Sequence, residues 1–248
     1  MASLPENKKH TPTVNTMPDI FVYGQSYVGK STFADGVPDN LIISTDGNTD
    51  ELTSPSVQIA NEVTVNGRIT TTKLAWQVFR ELVEELEKKQ NTFKYITIDL
   101  LEDLRELCRV YIWDKLKIQH ESDAGYGKAY DAVTMEFNTV IKRIKAAGYH
   151  IILISKEVEG EVTLKSGGKY TTFRPNIQDK VANVIAGLVD ISARAYVDDN
   201  GKRWLQLAKQ DHVFGGGRYT FTVDKCPLSM TDLVNEIKKI KDNTGRKN

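Results

Sequence analysis

The sequence predicts an α/β fold, a mostly parallel sheet flanked by helices with a late antiparallel β-hairpin extension. Three observations carry this. Short continuous apolar runs (IFVY at 20–23, LIIS at 41–44, YITI at 95–98 and IILI at 151–154) alternate with helical patterns, as a sheet covered on both faces demands. A glycine-bearing loop follows the first run directly. Two later segments, EVTLKSGGKYTTF and DISARAYVDDNGKRWLQLA, each look like two strands joined by a turn, and Asp199-Asn200-Gly201 is a strong hairpin signal in the second.

Taken in order, IFVY ends at Gly24, and Ser31-Thr32-Phe33-Ala34 can open a helix that Gly36-Val37-Pro38 stops after a turn or two. LIIS ends in the turn-rich TDGN. From Thr72 to Gln90, Trp76, Phe79, Leu82, Val83 and Leu86 recur at helical spacing, with Glu and Lys opposite, a face on which partner proteins could dock. YITI reaches Asp99, helical stretches run from about Leu100 to Lys117 and from Lys128 to Ala147, and Gly148 closes the second before IILI.

The 248 residues are 40% hydrophobic and 27% charged, an ordinary globular composition. No internal repeat or linker divides them, so the expectation is a single domain over 18–240, preceded by a disordered lead at 1–17 and followed by a disordered basic tail at 241–248. Lys plus Arg and Asp plus Glu number 33 each, so the net charge is zero and any attraction to nucleic acid or to a membrane surface needs a local patch. No stretch approaches the roughly 20 apolar residues of a membrane span, and the first residues lack a signal-peptide core. Cys108 and Cys226 lie far apart and the four histidines are scattered, which argues against zinc chemistry and for a reducing, cytoplasmic setting.

Gly24-Gln25-Ser26-Tyr27-Val28-Gly29-Lys30-Ser31 fits G-x-x-x-x-G-K-[ST] at every fixed position. The glycines let the backbone curl so that successive N–H groups, on through Thr32, point at phosphate oxygens. Lys30 would bridge the terminal phosphates of ATP, and the Ser31 hydroxyl would ligate Mg²⁺. Asp99, at the end of a fully apolar strand, is the candidate carboxylate for the Mg²⁺ side. For activating water, Asp46 at the end of the second strand is the candidate, and Glu102 on the following helix reads more simply as a solvated residue. Ser155, at the tip of a central strand, is placed to sense the γ-phosphate, with Lys156 and Glu157 as lesser candidates.

The ordered set GQSYVGKST, LIISTDGN, YITIDLLEDL and GYGKAYDAVTMEFNTVIKRIKAAGYHIILISKE resembles the RecA-like (Sak/RecA-like) nucleotide-binding proteins of tailed phages, single-domain ATPases of phage replication and recombination modules. The resemblance covers about residues 18–222. It implies a RecA-type P-loop NTPase core, ATP with Mg²⁺, and work on single-stranded DNA in annealing, strand exchange or replication. It also implies a carboxylate after the second strand that activates water, where Asp46 stands here and RecA itself carries a glutamate. Rings and filaments of this type bind ATP between subunits, so a homo-oligomer follows, with Lys209 or Arg218 in WLQLAKQDHVFGGGRY as the basic residue supplied in trans. Gly215-Gly216-Gly217 reads as a loop.

For DNA, GEVTLKSGGKYTTFR offers Lys165, Lys169 and Arg174 with Tyr170 interleaved, the combination of backbone neutralisation and stacking that holds single strands. A rival reading is a nucleotide-gated adaptor or loader that hands over a replication helicase or a single-strand-binding protein with little hydrolysis of its own. A small-molecule kinase lacks support, because no clustered lid arginines are present.

Overall fold

The computed structural model describes residues 15–125, 127–163 and 167–245, together with Asn7. The strands are β1 (Ile20–Gly24), β2 (Asn40–Ser44), β3 (Ser56–Gln58), β4 (Glu62–Asn66), β5 (Ile69–Lys73), β6 (Tyr95–Asp99), β7 (His150–Thr163), β8 (Lys169–Pro175), β9 (Ile191–Val197), β10 (Arg203–Gln206), β11 (Gly216–Gly217) and β12 (Lys225–Pro227). The helices are α1 (Lys30–Asp35), α2 (Ala75–Glu87), α3 (Leu101–Leu116), α4 (Lys128–Ala146), α5 (Asp179–Leu188) and α6 (Met230–Gly245).

The principal sheet runs β12-β10-β9-β1-β7-β6-β2-β3, with β8 added to β7 and β11 to β9. Its centre, from β9 to β3, is parallel throughout. Alternate residues of each central strand feed opposite faces. Phe21, Ile43, Ile98 and Leu153 join the core under α2, α3, α4 and α5, while Ile20, Val22, Ile152 and Ile154 join the core under α1 and α6. That two-sided burial is why these strands are written as unbroken apolar runs.

Several expectations change in the folded chain. Trp76 and Phe79 are fully buried, and the Trp76 ring packs against both Phe79 and Phe137, so this stripe is core and not a docking surface. The helix there starts only at Ala75, because Ile69–Lys73 is a strand paired with β4 across Asn66-Gly67, the same hairpin signal that joins β9 to β10. The segment from Ile191 is not merely a hairpin extension, since β9 pairs in parallel with β1 inside the core. Nor is the glycine triplet a loop. Gly216 and Gly217 form β11, and a Cβ on Gly217 would lie 2.6 Å from the Asp190 carbonyl oxygen, so only glycine permits this approach to β9. Helix α6 continues to Gly245, into the stretch expected as tail.

Candidate functional site

Strands β1, β2 and β6 end at one edge of the sheet, and β7 leaves its parallel neighbours at the same edge, at Lys156 (the β7 tip), before running on to Thr163; this is the edge at which open α/β sheets present their ligands. Register fixes who meets whom: Ser44 lies beside Asp99, Asp99 beside Ile154, Tyr23 beside Ser155 and Gly24 beside Lys156.

The loop from Gly24 to Ser31 grows directly out of β1. Gly24 has no room for a side chain, because a Cβ there would sit 2.2 Å from the Ala195 carbonyl oxygen of β9. Gly24→Ala therefore forces β9 and β1 apart at the root of the loop, and a loss of about 3 kcal/mol or more in denaturant-unfolding free energy is expected. Tyr27 and Gly29 both take left-handed backbone conformations, with φ of 65° and 100°. Tyr27 carries its ring out of the loop, 97% exposed, while Val28 anchors the other side in the core. Gln25 reaches Glu159 on β7. The buried Lys30 ammonium donates to the carbonyl oxygens of Gly24 and Gln25, each at 2.8 Å, so it closes the loop from within. Burial lowers its pKa, an effect opposed by the charges of Asp99, Glu102 and Glu157. Thr32 is exposed at the start of α1.

The structure brings Ser31 and Asp99 together: the Ser31 hydroxyl donates to Asp99 Oδ2 at 2.5 Å. Burial pushes the Asp99 pKa up, and the Ser31 hydrogen bond holds it back only in part. A hydroxyl and a carboxylate converging beside the loop are hard oxygen donors, the set that Mg²⁺ takes alongside phosphate oxygens. The residues present therefore fit the ion. Arg203 of β10 lies against the loop, with Nη1 3.1 Å from where a Gly29 Cβ would be.

The remaining candidates separate. Asp46 is exposed, and its own turn engages both of its oxygens: Oδ1 accepts from the Ser44 hydroxyl at 3.0 Å and the Asn48 N–H at 3.1 Å, and Oδ2 accepts from Asn48 Nδ2 at 2.8 Å. Burial alone would raise its pKa, but these hydrogen bonds outweigh it and the net shift is downward. Ser155 is fully buried, and its hydroxyl donates to the Lys156 carbonyl and accepts from the Asn176 N–H, so Lys156 is the exposed group at the strand tip. Glu157 forms a two-point pair with Arg194, whose guanidinium also lies 3.5 Å from the Phe173 ring centre. Glu102, taken from sequence as a solvated residue, instead turns back toward the β7 tip and accepts the Lys156 N–H at 2.8 Å.

Lys169 and Arg174 stand on β8, paired with Glu161 at 2.7 Å and Asp179 at 2.6 Å, and Tyr170 is half-buried beside them. Lys165 lies outside the described residues. Lys209 is exposed in a groove that Gly187, Ser192 and Phe214 also line. Arg218 is bound to Asp190 and to the Gly187 carbonyl, at the opposite end of β9 from the loop.

A strand–loop–helix phosphate cradle with a serine and a strand-end carboxylate at its side defines a P-loop nucleotide-binding α/β domain. A family model described as AAA domain matches residues 16–219, and the chain belongs to that family of P-loop ATPases. No curated protein matches the chain. Among the described residues no helix is long and apolar enough to cross a membrane.

Proposed function

We propose that the protein is a magnesium-dependent ATPase of the Sak/RecA-like phage type, acting on single-stranded DNA as a homo-oligomer. The observation that carries the ATPase reading is the 2.5 Å contact between Ser31 and Asp99 beside a lysine-closed loop. With nucleotide present, the Lys30 ammonium exchanges its two carbonyl contacts for terminal phosphate oxygens, and the loop N–H groups from Gly29 to Thr32 take the rest. Ser31 and Asp99 would hold Mg²⁺, which would supply positive charge to offset the negative charge developing as the phosphoryl group transfers. Arg203 adds a cation on the β10 side of the loop, and Lys156 another at the β7 tip. Of the two residues considered for action in trans, Lys209 supports that role better, since Arg218 is held within its own chain.

The DNA assignment rests on the resemblance of the ordered motifs and on the basic and aromatic residues of the β7–β8 hairpin. One observation favours the adaptor as a second reading. Lys169 and Arg174 are already paired within the chain, so a DNA strand must displace Glu161 and Asp179 to use them. Exposed pairs of this kind are worth about 0–1 kcal/mol, which a phosphate backbone can outbid at low salt. Turnover measured with and without single-stranded DNA separates the readings. The proposal expects stimulation that falls with added salt and is lost in Lys169→Ala/Arg174→Ala. Unchanged turnover, with nucleotide-dependent capture of a helicase or single-strand-binding protein, would select the adaptor.

A further inference from the structure

We infer that Glu102, not Asp46, is the carboxylate that activates the attacking water. The inference rests on the ATPase reading above and names the residue that performs its proton transfer.

Asp46 is held within its own tight turn, where the Ser44 hydroxyl and both nitrogens of Asn48 bond its carboxylate. Glu102 is the second residue of α3, three residues past Asp99 at the β6 end, and its side chain turns back to the β7 tip. Its Oε1 is pinned by the Lys156 N–H at 2.8 Å, while Oε2 is buried with no hydrogen-bond partner. Leaving a buried carboxylate oxygen unpaired is costly, and a fold retains such an atom where a ligand or water completes it. Lys156, whose N–H Glu102 accepts, lies beside Gly24 at the root of the phosphate loop. Burial raises the Glu102 pKa, and the Lys156 N–H holds it back only in part, which strengthens the carboxylate as a proton acceptor.

The step balances without a further reactant. The oxygen of water bonds to the γ-phosphorus, the bond from that phosphorus to the β–γ bridging oxygen breaks with its electron pair leaving on ADP, and the water's proton passes to Glu102 Oε2. Glu102 then returns the proton to the departing phosphate or to solvent.

The test is Glu102→Gln, which keeps an oxygen to accept from Lys156 and removes only the basicity. On the full chain with Mg²⁺, kcat for ATP should fall about 100-fold or more, with the Kd for ATP within about threefold of wild type and thermal unfolding no lower than that of wild type. Glu102→Asp, which shortens the reach, should recover part of that loss. Turnover of Glu102→Gln within threefold of wild type overturns the inference and leaves the ATPase reading standing. So does a variant that loses ATP binding along with turnover, since the role would then be structural. Absence of turnover in the wild-type protein overturns both.

Discussion

Lys30→Ala abolishes ATP turnover and weakens nucleotide binding by about two orders of magnitude or more, a loss on the scale of a charged hydrogen-bonding partner removed from a buried site. The structure gives the reason. The ammonium is the only described group that donates to both Gly24 and Gln25 carbonyls, so it shapes the loop before any phosphate arrives and then supplies the positive charge at the terminal phosphates. Alanine removes both functions. Thermal unfolding with and without saturating Mg–ATP reads the effect directly. The wild type should shift upward by an amount set by [ATP]/Kd, and the variant should show almost no shift. An equal shift in the two proteins would contradict the assignment of the loop.

Asp99→Asn separates function from stability in opposite directions. Because burial raises the Asp99 pKa above its unfolded value, the native chain holds that proton more tightly than the unfolded chain does. Its contribution is most favourable below the unfolded carboxylate range and declines as pH rises through the folded pKa. At neutral pH the ionised side chain therefore costs the nucleotide-free protein stability. Asparagine removes the charge and still accepts from Ser31, so the variant should melt at a higher temperature than wild type near pH 7, with the difference shrinking as pH falls. Turnover, by contrast, should drop by about 10²–10³-fold, because the amide oxygen is a weak ligand for Mg²⁺. A variant that is both active and no more stable would remove Asp99 from the site.

What was legible in the sequence follows from how each signal is encoded. The loop from Gly24 to Ser31 is a covalent spacing, with each fixed residue demanded by close approach, charge or ligation, and Gly24 shows that demand twice over, toward phosphate and toward Ala195. Asp99 was readable because a strand of unbroken apolar residues can only end where its polar residue emerges. The central strands were readable for the same reason. Glu102 was not, since its environment depends on how α3 leans against β7, a tertiary angle that the local pattern LLEDL does not specify. Trp76 shows the converse: an amphipathic stripe announces burial, but whether a partner protein or α4 covers it is decided by the fold, here by Phe137. The parallel pairing of β9 with β1 was hidden behind a strong hairpin turn, whose residues describe only the connection to β10. The β4–β5 hairpin carried its own Asn-Gly signal, obscured by the helical spacing that begins just beyond it.

The central claim is that the loop, Ser31 and Asp99 form one Mg–ATP site. Calorimetric titration of ATP into the full-length protein, first with Mg²⁺ and then with the ion chelated, tests it most directly. The account predicts stoichiometric binding that weakens at least about tenfold without Mg²⁺ and vanishes in Lys30→Ala. Binding of equal strength with and without the ion, or retained in Lys30→Ala, would contradict it.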